Sequence, residues 1–119
     1  MKTFEDLEVY QKALDFTVDV FLFTENKTLN NNIKNQLERA ALSISNNISE
    51  GFELQSNKQF VKFLYIAKGS CGESRNLLKV LSRLNQIDNE THDEYRFRAI
   101  EISKQLSNFI KYLKKSEIE

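Results

Sequence analysis

Apolar residues recur along the chain at alternating spacings of three and four, in four segments separated by polar stretches. This spacing places them along one side of an α-helix, so each segment predicts an amphipathic helix with a buried face. The polar breaks fall at residues 26–32, 51–57 and 88–89. The pattern therefore predicts four helices, near residues 6–25, 30–50, 57–87 and 89–115.

The third segment shows the pattern best. Its predicted core face consists of Phe60, Leu64, Ala67, Cys71, Ser74, Leu78 and Leu81. Ser56, followed by Gln59, has the residue types of a capping box, in which each side chain satisfies a free backbone N–H group. These two residues predict that the third helix begins at about residue 57.

The first segment is harder to assign. Its predicted core face consists of Leu7, Tyr10, Leu14, Thr17 and Phe21. Residues 16–23 are β-branched and aromatic and would also suit a strand, but the helical spacing continues on both sides, so we predict a helix. Phe16, Val20 and Phe23 then lie on another side of this helix, where a monomer would leave them partly exposed. This surplus apolar surface predicts self-association.

Turn-forming residues are too few for a β-rich fold. The chain has no Pro and three Gly among its 119 residues, whereas hairpins and sandwiches need many such residues at their turns. Short connections between long helices favour antiparallel neighbours. We therefore predict an all-α protein: a single domain over residues 1–119, folded as an up-down antiparallel four-helix bundle and assembling as a ring-like homo-oligomer.

The chain contains too few His and Cys residues for most catalytic and metal-binding arrangements. One His, His92, and one Cys, Cys71, cannot form a four-ligand zinc site or the paired Glu-x-x-His motifs of a di-iron bundle. Cys71 lies on the predicted core face, where a thiol acts as a small apolar group, and His92 is expected to be exposed. We predict no enzyme activity, no catalytic or metal-binding residue and no cofactor.

The compartment follows from the same composition. A lone Cys suits a reducing cytoplasm. The chain lacks the long apolar run that a membrane helix needs. The sequence therefore predicts a cytoplasmic protein without a membrane partner.

Charge is balanced overall but not along the chain. Lys and Arg total 17, as do Asp and Glu, yet residues 1–55 contain five cations against nine acids and residues 56–119 contain twelve against eight. The third helix contains six cations, which fall within an arc of about 140° opposite its apolar face. They are Lys58, Lys62, Lys68, Arg75, Lys79 and Arg83. Three interpretations remain open: a solvated face, a contact with the acidic first helix of a neighbouring subunit, or a track for RNA or DNA.

Several polar residues lie on or beside the apolar positions. They are Arg39, Asn47, Glu50 and Glu73. Because a buried charge must be paired, we predict a buried structural network centred on Arg39, with Glu50 or Glu73 as its partner, that fixes the register of the second and third helices. A ligand site is the alternative interpretation.

Three blocks carry a resemblance to a known family. They are FEDLEVYQKA at residues 4–13, RAALSISNNISEGF at residues 39–52 and FVKFLYIAKGSCGE at residues 60–73. In this order and at these separations they resemble the 23S rRNA intervening-sequence proteins of bacteria, whose central block is RAAxSIPxNIxEG. Ser45 replaces the usual Pro of that block and Tyr10 the usual Trp of the first.

The resemblance implies a four-helix bundle that forms a homopentamer and is encoded within insertions of large-subunit rRNA genes. Related accessory proteins of diversity-generating retroelements bind nucleic acid. We therefore expect a non-enzymatic accessory module associated with RNA or DNA through the six cations. The alternative is a homo-oligomeric protein-interaction scaffold that binds no nucleic acid.

Overall fold

The computed structural model describes residues 3–118 and places four α-helices in them. They are α1 (Glu8–Glu25), α2 (Asn31–Glu53), α3 (Asn57–Arg83) and α4 (Asn89–Ile118), preceded by a short 3₁₀ helix at Phe4–Asp6. No strand occurs within residues 3–118, so the all-α prediction is confirmed, including the helical assignment of residues 16–23.

The helices form an antiparallel four-helix bundle with up-down connections. Thr17 and Thr24 of α1 contact Ala41 and Glu38 of α2 in reverse order, as antiparallel neighbours must. Helices α1 and α3 each pack against both α2 and α4. The bundle measures 50 × 20 × 19 Å, so its long axis follows the helices and each helix has one side that faces away from the core.

The core includes the apolar faces of α2, α3 and α4. All seven predicted core residues of α3, from Phe60 to Leu81, are buried. Leu37, Ala40, Ile44 and Ile48 of α2 are buried opposite them.

Helix α1 is rotated relative to its predicted core face. Phe16 and Val20 are fully buried, so the prediction that a monomer leaves them partly exposed is wrong. Phe23 is partly exposed, as predicted, and it packs against Tyr95 of α4, with their ring centroids 5.2 Å apart. Phe21, assigned to the core by the spacing, is exposed. The reason is that α1 is apolar around most of its circumference, so the period alone does not select the buried side.

Two threonines help to set the rotation of α1. The Thr17 hydroxyl lies 2.8 Å from the Ala13 carbonyl oxygen and 2.9 Å from that of Ala41 in α2. The Thr24 hydroxyl donates to Glu38 Oε2 at 2.6 Å. Both hydroxyls are therefore satisfied in the α1–α2 seam, which allows these polar residues to turn inward.

The ends of α3 are fixed by capping. Ser56 Oγ accepts the Gln59 N–H at 3.3 Å, which is one of the two hydrogen bonds of the predicted capping box. At the other end Asn85 adopts φ 58°, and the N–H groups of Asn85 and Gln86 donate to the Ser82 and Leu81 carbonyls at 3.0 and 2.9 Å. This pattern is a Schellman motif, and it ends α3 at Arg83 rather than at the predicted residue 87.

Candidate nucleic-acid interface

The six cations predicted as one face of α3 lie on its outer surface in two groups. Lys58, Lys62, Lys79 and Arg83 are exposed, whereas Lys68 and Arg75 are half-buried on the side of α3 that faces α4. None of the six forms an ion pair with another residue of the described chain. A row of cations without acidic partners keeps its positive potential available to an anion.

Lys68 and Arg75, the two half-buried cations, line a groove between α3 and α4. Its lining comprises Lys68, Arg75, Ile100, Ser103, Lys104, Ser107 and Asn108. The polar groups that line it are ammonium, guanidinium, hydroxyl and amide groups, all of which can donate hydrogen bonds to phosphate oxygens. Sequence reasoning missed Lys104, which lines this groove from α4 and is ion-paired with Glu101 of the same helix at 3.6 Å.

Tyr65 is a second feature of this surface that sequence reasoning missed. Its side chain is 49% exposed in the middle of α3, between Lys62 and Lys68 along the helix. Lys114 of α4 places its Nζ 2.9 Å from the Tyr65 hydroxyl and 5.1 Å from the ring centroid. The outer face of α3 therefore combines an aromatic ring with cations from two helices.

Gly69 and Gly72 lie on the same outer face. A Cβ atom at either position would meet nothing within 4 Å, so the fold of the chain does not require glycine there. A glycine inside a helix costs about 0.5–1 kcal/mol relative to alanine. Both positions leave the backbone of α3 open to close approach from outside.

The predicted buried network around Arg39 does not form within the chain. Arg39, Glu50 and Glu73 are all exposed, and none of them is ion-paired to another described residue. Arg39 follows Leu37 by two positions, which turns it about 200° away from that buried side chain. The prediction of a buried network is therefore wrong.

The polar link between α2 and α3 is neutral instead. Asn47 Nδ2 donates to the Ser43 carbonyl oxygen at 2.7 Å and to Ser43 Oγ at 2.9 Å. The Ser70 hydroxyl of α3 donates to Ser43 Oγ, also at 2.9 Å. Of the predicted network residues, Asn47 alone lies in this seam.

Cys71 is a buried free thiol, and His92 is a buried imidazole. Burial raises the pKa of the Cys71 thiol to about 12, although the nearby cations Arg75 and Lys68 act in the opposite direction, so the thiol is neutral at pH 7. His92 is buried rather than exposed: its Nδ1 lies 2.9 Å from Asp93 Oδ1 and its Nε2 has no hydrogen-bond partner. Within the described residues, no three His, Cys, Asp or Glu side chains are grouped as metal ligands.

The length and apolar character of a helix decide whether it can span a membrane. None of the helices within residues 3–118 has both the length and the apolar character needed to cross a bilayer.

The fold and this surface define the class: an all-α four-helix bundle with a cationic outer face on α3. Residues 5–108 match the model of the 23S rRNA-intervening sequence protein family, and the chain belongs to that family. It is also similar to the crystal structure of a protein of unknown function from the S23 ribosomal protein family of Bacteroides thetaiotaomicron VPI-5482. The TM-score is 0.78 at 28% identity, covering 87% of this chain and 98% of that one. No curated protein matches the chain.

Proposed function

We propose that this protein is a non-enzymatic accessory module of the cytoplasm that binds the backbone of RNA or DNA through the outer face of α3. The observation that carries the proposal is that six cations of one helix have no acidic partner in the described chain. Clustered Lys and Arg on one face are the electrostatic footprint of a nucleic-acid surface. Family membership and the resemblance to nucleic-acid-binding accessory proteins support it.

Overall neutrality does not oppose this function, because α3 contains six cations and a single acid, Glu73. Glu8 and Glu25 lie exposed on α1, diagonally across the bundle from α3. Salt screens charges beyond about 10 Å at 0.1 M, so a phosphate at α3 experiences chiefly the nearby cations. Binding is expected to be tolerant of sequence and to weaken steeply with salt.

We further propose that the protein assembles into a ring-like homo-oligomer, with five subunits by the family resemblance. Val18, Phe21 and Leu22 are exposed on the outer side of α1, and Leu42 of α2 is exposed beside them. Contiguous apolar surface of this kind is typical of protein contacts. A ring would present several copies of the α3 face, and avidity would strengthen weak contacts made by each one.

The test is a titration with single-stranded RNA and duplex DNA at about 50 mM salt, repeated at higher salt. The variant Lys62→Glu/Lys79→Glu/Arg83→Glu is compared with Lys12→Glu/Lys27→Glu/Arg39→Glu, which changes net charge equally on α1, α2 and their connection. Each lost phosphate contact lowers the log–log salt slope by about 0.7–0.9. The α3 variant is expected to lose about 2–3 from the slope and the control almost nothing.

The alternative function is a protein-interaction scaffold, favoured by the apolar outer side of α1. If wild type binds neither nucleic acid, the nucleic-acid proposal fails. If the α3 variant dissociates to the chain mass of 13.9 kDa in light scattering while the control stays assembled, the cations belong to a subunit contact. The scaffold function is then correct.

A further inference from the structure

We propose that the nucleic acid bound by this surface is single-stranded and that one of its bases stacks on Tyr65. This inference rests on the proposed function and adds the class of ligand. The observations are the exposure of the Tyr65 ring, the lysines around it and the open backbone beside it.

Tyr65 lies in a cationic environment. Lys62 and Lys68 are three residues away in either direction, which places them beside Tyr65 on the same side of α3. Lys58 is two turns away on that face, and Lys114 reaches the ring from α4. None of these four lysines is ion-paired within the described residues, so all four can contact phosphates that flank a base on the ring.

Lys114 holds the ring in place. Its Nζ lies 2.9 Å from the Tyr65 hydroxyl, so the polar end of the side chain is tethered to α4. About half of the residue, 49%, still faces solvent. A ring that is already oriented loses little conformational freedom when a base stacks on it.

The helix surface next to the ring is uncovered. A helical side chain covers the turn that precedes its own Cα, so a side chain at Gly69 would cover the turn that carries Tyr65. Gly69 has none, and its Cβ position is open to at least 4 Å, as is that of Gly72. Neither glycine position therefore blocks the approach of a flat group to the ring along the helix.

This arrangement favours a single strand. Bases in a duplex are paired and stacked on one another, so their faces are not available to a surface tyrosine. In a single strand the bases can stack on aromatic side chains while the phosphates contact a basic surface. The cations alone would bind both forms; Tyr65 adds an interaction that only the single strand can make.

The test compares a labelled single-stranded RNA with a duplex of the same sequence, by fluorescence anisotropy at about 50 mM salt. Tyr65→Ala is expected to weaken single-strand binding by roughly 5- to 100-fold, as loss of one base–aromatic stack does, and to leave duplex binding unchanged. Tyr65→Phe, which keeps the ring, retains most of the affinity. Phe97→Ala is the matched control, because Phe97 is an exposed aromatic residue, at 62%, on the side of α4 that lines a groove with Lys12 and Asp15 of α1.

Gly69→Leu provides a second test, because a purely structural role of this surface would not produce the result that we expect. The position is open and lies within a helix, so leucine is expected to preserve or raise the thermal midpoint. The same side chain would occupy the approach to Tyr65 and weaken single-strand binding.

Three results would overturn the inference alone: equal wild-type affinity for single strand and duplex, equal effects of Tyr65→Ala and Phe97→Ala, or dissociation of the oligomer by Gly69→Leu. The last would mean that another subunit covers the glycines. If wild type binds neither form, the proposed function fails as well.

Discussion

The two sides of α3 differ in what they touch. Toward α2, Ser70 is hydrogen-bonded to Ser43, and Gly51 of α2 approaches so closely that a Cβ there would lie 2.7 Å from Phe63 Cβ. Away from the core, Tyr65 is exposed next to Lys114 and Gly69 faces open space, among cations without acidic partners. Packing accounts for the first side and leaves the second unexplained, which is why the second is the place to look for function.

Truncation of the inner side gives the largest expected effect. Leu64 is fully buried, and Leu64→Ala is expected to lower the free energy of unfolding by about 2–5 kcal/mol through lost burial and a cavity. Ile66→Ala, two positions along the helix on the exposed side, is expected to cost no more than about 0.5 kcal/mol. Urea unfolding of both variants measures the difference, and similar losses would show that the outer side is also packed.

The two glycines sharpen the comparison. Gly51→Ala places a methyl group against Phe63 Cβ and Phe60 Cδ1, at 2.7 and 2.9 Å, so the helices must separate, at a cost of about 1–3 kcal/mol. Gly69→Ala meets no atom and improves helix propensity, which is expected to add about 0.5–1 kcal/mol. Thermal unfolding of the pair should therefore shift in opposite directions; a loss of stability for Gly69→Ala would place that position in a contact.

The smallest expected effect is at Arg39. Its exposure and its lack of a described partner predict that Arg39→Ala changes the free energy of unfolding by no more than about 0.5 kcal/mol. A buried, paired arginine would instead cost about 3–5 kcal/mol. A loss of that size in the assembled protein, absent from the monomer, would mean that a neighbouring subunit supplies the partner.

How well the sequence predicts the buried face of a helix depends on how sharply the apolar and polar positions of that helix are separated. In α3 apolar and polar positions alternate sharply, so its core face from Phe60 to Leu81 and its cationic face were both predictable. In α1 they do not, and the buried side is selected by contacts such as Thr24 with Glu38, which lie outside the helix itself.

The missed parts of the site share a physical cause. Lys104 and Lys114 join the α3 surface only through the register between α3 and α4, which no periodicity within one helix specifies. Tyr65 differs from any other surface tyrosine only in its neighbours. Arg39 was placed in the core because its sequence neighbours are apolar, although successive residues of a helix are about 100° apart.

The up-down connectivity has a kinetic consequence. Three of the four seams join helices that follow one another in the chain, so each can form soon after its hairpin does. The α1–α4 seam joins the two ends instead: the hydrogen bond from the Tyr95 hydroxyl to the Asp19 carbonyl spans 76 residues. This seam is also the sparsest in backbone contacts. Forming the α1–α4 contact therefore has the largest cost in loop-closure entropy. We expect α1 and α4 to come together last during folding and to separate first when the bundle opens.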